Sequence, residues 1–241
     1  MVEITIPVLN EEATLEAQIR KTFDFIQKEL SDLHPIKLVL ADNGSNDRTE
    51  QISRKLSAEL GIRYIRLEQR GVGRALKASW NSSEAEIVGY MDLDLATDLN
   101  YLRPAFEILR ANKFSIVTGS RLAKGSKVVG RSLLRSFTSR VFNFLISSYF
   151  KTSFSDGMCG FKFLKREVLH ELYEAGAESD GWFFATELLV TAEYKNLNIY
   201  DLPVVWTDDP NSKVKIIKLA IDYIKAMRSL RTKLCIRGLK K

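Results

Sequence analysis

Short apolar runs and longer amphipathic stretches take turns along the first half of this chain. The runs cover 2–8, 36–41, 62–67, 87–91 and 114–118; the amphipathic segments between them cover 11–30, 47–60, 72–82 and 99–112. Short, mostly apolar runs bounded by turn residues suit strands buried on both faces. Strands and helices alternating in this way build a mostly parallel sheet with helices on both sides. In such a sheet the crossovers are right-handed and ligands meet the carboxyl ends of the strands. Asn46 and Asp47 offer N-cap chemistry to the second helix.

The rhythm changes after Thr118. Residues 119–130 (GSRLAKGSKVVG), with three glycines among basic and small residues, read as a flexible loop. A single helix is expected over 131–150, then strands over 158–164 and 199–206 flanking a helix over 182–196. Pro210 breaks the chain, and a last helix is expected from 213 to about 231, with Ile216, Ala220, Ile224, Met227, Leu230 and Leu234 on one face. The expected division is a body over 1–209 and a basic, amphipathic helical extension over 210–241.

Charge is unevenly spread. Residues 108–155 hold nine basic side chains and no acid, and 213–241 hold ten basic and one acid, Asp222, whereas the rest carries 17 basic and 29 acidic. An acidic body with two basic segments implies an anionic partner: nucleic acid, lipid headgroups or a phosphorylated substrate. A solvated basic face accounts for the same charges. A hydrophobic content of 45% excludes wholesale disorder. No apolar run reaches the roughly 18 residues of a membrane-spanning helix. Met1 leads directly into a strand, so no signal peptide is expected. Two cysteines, Cys159 and Cys235, and two histidines make neither a disulfide framework nor a zinc site, which suits a reduced, cytosol-facing protein.

The most informative stretch is YMDLDLATD at 90–98. Asp92 and Asp94 follow a buried strand, where two carboxylates are costly unless something positive binds them. Mg²⁺ or Mn²⁺ together with a diphosphate supplies such charge through one or two carboxylates. An acidic strand-to-helix turn capped by Asp98 explains the same spelling. Two further turns stand where a parallel sheet puts its ligand: PVLNEE at 7–12 and ADNGSNDRT at 41–49. Asp42 follows an apolar run, and Asn43-Gly44 is a turn dipeptide.

These motifs, in the order PxxNE, DNGS and DxD, resemble the family 2 glycosyltransferases of the GT-A fold, particularly the dolichyl- or polyprenyl-phosphate hexose synthases. RGVGRALKASW at 70–80, GSR at 119–121, DGMCGFK at 156–162, the helix bearing Glu187 and DDPNSKV at 208–214 fall in the family's order. The resemblance implies a nucleotide-diphospho-sugar transferase fold with amphipathic interface helices. It implies that Pro7, Leu9, Glu11 and Asp42 hold the donor nucleoside. Asp92 and Asp94 would hold its diphosphate and metal, Leu93 between them would contact the donor, and Lys213 would lie in a loop over it. Arg121, Arg131, Arg135 and Ser139 would handle an acceptor phosphate, and Glu187 would face the metal site. Asp94, Glu187 and Arg121 are the expected catalytic residues.

Arg131, Arg135 and Ser139 recur every four residues and so share one helix face. Arginine with a hydroxyl suits phosphate. Most of the other positions of 131–150 are apolar, among them Leu133, Leu134, Phe137, Val141, Phe142 and Leu145, which fits either a membrane interface or a core-packing helix. No histidine lies near any motif, and a phosphate acceptor needs no base, because its second pKa is about 6. In-line attack on an α-linked sugar nucleotide would invert the anomeric carbon. DLDLAT at 92–97 matches the glucose-transferring relatives, so UDP-glucose is favoured over GDP-mannose. Asn43 stands where the family usually has a second aspartate. Two other readings are a transferase acting on a saccharide or protein hydroxyl, with Asp156 or Glu187 as base, and a non-catalytic membrane-binding module. The expected product is a lipid-linked phosphosugar for glycosylation, made at the cytoplasmic face of an anionic membrane with peripheral attachment. Nucleic acid is not an expected partner.

Overall fold

The structure, a computed structural model, describes residues 1–208 and 216–239, and for 216–220 the backbone alone. Its centre is a seven-stranded sheet in the order β3-β2-β1-β4-β7-β5-β8. The strands are β1 (Val2–Val8), β2 (Ile36–Asp42), β3 (Arg63–Arg66), β4 (Ile87–Met91), β5 (Ile116–Ser120), β7 (Phe161–Lys165) and β8 (Ile199–Pro203). All neighbours run parallel except β7, which is antiparallel to both β4 and β5. The chain winds outward from β1 to β3 and then returns to β4 on the other side of β1. The sheet order therefore reverses between β1 and β4, the place where open α/β sheets bind ligands.

Helices cover both faces. Val2, Ile4, Ile6 and Val8 of β1 enter a core shared with α1 (Leu15–Glu29), α2 (Thr49–Leu60) and α4 (Leu102–Arg110). The opposite side of β1 carries Glu3 and Thr5, both buried, beneath α3 (Val72–Asn81). Buried polar groups need partners. Thr5 Oγ1 lies 2.8 Å from Ser79 Oγ, and Glu3 accepts from Ser79 Oγ and from Arg63. On that side a second core joins α3 with α5 (Leu133–Phe150), α6 (Leu169–Ala175), α7 (Phe184–Tyr194) and α8 (Ile216–Ile236).

Several expectations change. The stretch 119–130 is not wholly a loop: it contains β6 (Lys127–Val129), paired in parallel with β9 (Val205–Thr207) in a separate two-stranded sheet. The single strand expected over 199–206 is therefore two strands in two sheets. The last helix, described from Ile216, runs to Ile236, further than its apolar spacing suggested, and its expected start at 213 lies outside the described residues. It packs on the body through Tyr223, Met227, Leu230 and Leu234. Its basic residues are partly engaged there, since Lys233 and Arg237 pair with Glu178 and Arg231 donates to Tyr194 OH.

Candidate functional site

The three motif turns meet at the carboxyl ends of β1, β2 and β4, which are neighbours in the sheet. The turns after β1 and β2 interlock. Asn10, at a left-handed φ of 56°, donates its N–H to Ser45 Oγ and accepts from the Asn46 N–H. Glu11 N–H donates to Thr49 Oγ1. Pro7, Leu9 and Glu11 keep partial exposure along this rim. Asp42 differs. It is fully buried, and its carboxylate accepts from Ser45 N–H, Tyr64 OH and Arg66. Asp42 therefore holds the turn, and a direct nucleoside contact would require Tyr64 or Arg66 to give way. Asn43 Oδ1 accepts from Gly71 N–H, tying this turn to the start of α3.

Beyond β4, alternation sends Asp92 and Asp94 outward and Leu93 inward. Leu93 is 6% exposed within the first core, so it anchors the turn from beneath rather than lining the rim. Asp94 is exposed and accepts from Ala96 N–H at 3.0 Å. Asp92 N–H donates to Gly160 O, and a Cβ on Gly160 would fall 1.7 Å from Asp92 Oδ2. Burial, followed by the neighbouring Asp94 charge, pushes the Asp92 carboxyl up to about 7, although Lys162 and Arg121 pull against the rise. Such a pair suits a divalent cation. Among the described residues no group of three or more His, Cys, Asp or Glu could hold a metal. Mg²⁺ and Mn²⁺ bound with phosphates need only one or two carboxylates, so Asp92 and Asp94 fit that mode.

Arg121 follows β5 and is buried. Its Nε and Nη2 donate to Asp156 at 2.7 and 3.0 Å, and the guanidinium lies 4.9 Å from the Trp206 ring centroid. Burial opposes ionisation of Asp156, yet Arg121 outweighs it and the carboxyl sits at about 2. A carboxylate so weakly basic makes a poor general base. Beside this pair runs one face of α5: Arg131 just before the helix, then Arg135, Ser139 and Asn143. Asn143 accepts from Gly157 N–H and donates to Asp156 Oδ1. Arg135 donates to Asp208 Oδ2. Arg131 Nε and Ser139 Oγ are buried with no hydrogen-bond partner among the described residues. The Thr97–Trp206 bridge and the Thr207 N–H bond to Ala96 O join the Asp94 turn to the strand beneath Arg121. The other side of α5 is open: Leu133 is 89% exposed, Phe137 66% and Phe144 68%. A groove of about 1040 Å³ runs along it, lined by Arg121, Phe137, Arg140 and Phe144 among others.

Glu187 lies apart from these groups. It is fully buried in the first turn of α7, and its oxygens accept from Glu178 N–H, Ser179 N–H and Ser179 Oγ. Its carboxylate thus fixes the 178–180 segment, whose Asp180 pairs with Arg74 and Lys77 of α3. Lys213 lies outside the described residues. Sequence reading missed Gly160, Lys162, Trp206 and Asp208. Gly160 and Lys162 sit inside DGMCGFK and Asp208 opens DDPNSKV, so for these three the signal was present without an assigned role.

Residues 3–173 match the family model described as Glycosyl transferase family 2. The chain is 30% identical over 90% of its length to Glycosyltransferase AglD of Haloferax volcanii, and spans 35% of that protein. It is 28% identical over 88% of its length to the dolichyl-phosphate beta-glucosyltransferase of Homo sapiens, and spans 68% of it. The fold superposes with a TM-score of 0.67, at 19% identity, on glucosyl-3-phosphoglycerate synthase from Mycobacterium tuberculosis in complex with uridine-diphosphate. That match covers 100% of this chain and 81% of the other.

Proposed function

The chain belongs to glycosyl transferase family 2, and from that membership we propose that it moves a hexose from a nucleotide sugar to a dolichyl or polyprenyl phosphate, inverting the anomeric carbon with the help of a divalent cation. UDP-glucose is the favoured donor over GDP-mannose. Support comes from the DLDLAT spelling at 92–97 and from relatives named dolichyl-phosphate beta-glucosyltransferase. The mycobacterial neighbour, crystallised with Mn²⁺ and UDP-glucose, supports a metal and a uridine donor.

One observation carries the reading. An arginine face, half-buried at Arg131 and Arg135, presents two buried donors without a partner among the described residues, Arg131 Nε and Ser139 Oγ, near Arg121, and the Thr97–Trp206 bridge joins the Asp94 turn to the indole beneath Arg121. Donors left this way are costly in a protein interior unless an acceptor meets them, and beside two further guanidinium groups an anionic acceptor is favoured. A phosphate monoester, with about −1.5 to −2 charges and three acceptor oxygens, suits them.

In this mechanism Asp92 and Asp94 would hold Mg²⁺ or Mn²⁺, which when bound neutralises charge on the diphosphate leaving group. Pro7, Leu9 and Glu11 form the rim for the nucleoside, with Asp42 keeping the second turn in shape and Lys213 assigned to the donor. Arg121, locked by Asp156 and stacked on Trp206, is a fixed cation between the two substrates. Arg131, Arg135 and Ser139 orient the acceptor phosphate, which attacks without a base. The hydroxyl-acceptor alternative loses support because Asp156 is held at about 2 and the Glu187 oxygens are engaged. No helix among the described residues is long and apolar enough to cross a membrane. The exposed apolar face of α5 is the surface by which the enzyme rests on an anionic, cytoplasm-facing bilayer.

The test is transfer of radiolabel from UDP-glucose or GDP-mannose, with and without polyprenyl phosphate. Label entering the organic phase only with the lipid is expected. No label there with any donor defeats the reading.

A further inference from the structure

The acceptor face already contains an anion supplied by the chain. Asp208 leaves β9 with its N–H bonded to Val129 O at 2.9 Å, so its backbone is placed by the small β6–β9 sheet rather than by its own charge. Its side chain is 8% exposed. Oδ2 accepts from Arg135 Nη1, and Oδ1 lies 3.4 Å from Trp206 Nε1, on the same indole that supports Arg121. The Arg131 guanidinium feels Arg121 and Arg135 as like charges and Asp208 and Asp156 as opposing ones, Asp156 being already locked to Arg121. The Asp208 carboxylate therefore sits beside Arg135, among the groups assigned to the acceptor phosphate.

It is an incomplete fit. Asp208 gives Arg135 a partner, but Arg131 Nε and Ser139 Oγ still have none among the described residues. A phosphate carries more charge and one more oxygen than a carboxylate, so it can serve Arg135 and those two donors together.

We propose that Asp208 is an internal stand-in for the acceptor phosphate: its carboxylate holds the anion position beside Arg135 until the phosphate displaces it, and it thereby sets how tightly the acceptor binds. The proposal rests on reading the Arg131–Arg135–Ser139 face as the acceptor-phosphate site. A residue of this kind acts opposite to an ordinary binding residue, because removing its charge improves binding.

The experiment uses the full chain with Asp208→Asn and Asp208→Glu, each alone and with Arg135→Ala. Inorganic phosphate binding is followed by calorimetry, and acceptor KM by transfer to a short-chain prenyl phosphate. For Asp208→Asn, phosphate binding tightens and acceptor KM falls by about 3- to 10-fold, the scale of one displaced ion pair, while donor KM holds. Asp208→Glu keeps the charge and shows no tightening. The gain vanishes when Arg135→Ala is also present. Weaker phosphate binding in Asp208→Asn would make Asp208 an aligner of Arg135, and unchanged binding would put it outside the anion position; either overturns the proposal. If the wild-type protein transfers to no prenyl phosphate, the functional reading fails while the calorimetric arm still decides the role of Asp208. If transfer occurs and Asp208→Asn changes nothing, only the stand-in fails.

Discussion

Gly160 and Asp92 compete for one volume: a methyl group on Gly160 would lie 1.7 Å from Asp92 Oδ2. Gly160→Ala is therefore expected to displace the carboxylate and, with Asp92 in its proposed role, to lower transfer about 100-fold, the usual scale for a misplacement of about 1 Å. Titrating Mn²⁺ against rate and measuring Tm in parallel checks this. A variant that keeps wild-type metal affinity would mean that Asp92 does not contact the cation.

Asp94 is exposed, so its removal should not affect folding. Asp94→Ala is expected to cut transfer by about 10²- to 10³-fold, as for loss of one charge-stabilising group, while vesicle binding stays intact. Radiolabel transfer and liposome co-sedimentation measure the two separately.

The Arg121–Asp156 pair should be felt in stability and in its pH dependence. Asp156→Asn leaves a buried guanidinium without its counter-charge, a loss of about 3–5 kcal/mol. Asp156 is held at about 2, below the unfolded value of about 3.9. Its depressed pKa means that the stabilisation is complete above the unfolded value and is lost as pH falls through about 2. Urea unfolding of both proteins should show the full gap at pH 6 and a narrowing gap below about pH 4.

Glu187→Gln keeps the shape but replaces an acceptor oxygen by an NH₂ facing N–H and O–H donors. Destabilisation of about 1–3 kcal/mol is expected, with faster amide exchange confined first to 178–180. An activity loss with unchanged exchange there would instead point to a direct part in the reaction.

Phe137 and Phe144 are 66% and 68% exposed, so replacing both with serine should leave Tm unchanged. Each phenylalanine is worth about 1.5–3 kcal/mol when fully buried. Partition onto anionic vesicles should accordingly fall by at least about 10-fold. Undiminished partition would assign membrane contact to another surface.

Legibility in the sequence followed the range of the interactions. β1 and β4 start and end where their apolar runs do, because burial on both faces writes itself into adjacent residues. The position of Leu93 was not readable: grouped with its two aspartates at the donor, it lies instead in the first core, 6% exposed. Nor was the reversed direction of β7, because a strand's own residues do not encode its neighbour's polarity. Arg121 and Asp156 are 35 residues apart, and the Trp206 ring that meets Arg121 comes later still, so only the folded chain brings them together. Glu187 misled for a similar reason: a glutamate in the first turn of a helix looks available until the 178–180 backbone closes over it.

The packing of α8 bears on how this protein can be cut and recombined. Tyr223 meets Phe142 and Phe183 edge-on, and Leu230 and Leu234 are wholly covered. A truncation after Asp208 would not trim a tail but open one side of the interior, and a chimera carrying a relative's last helix would import a foreign slab of core. Tags or fusions that pull on this helix should be judged as core mutations, and exchanges between relatives should move α8 together with the residues on α5 and α7 that it grips.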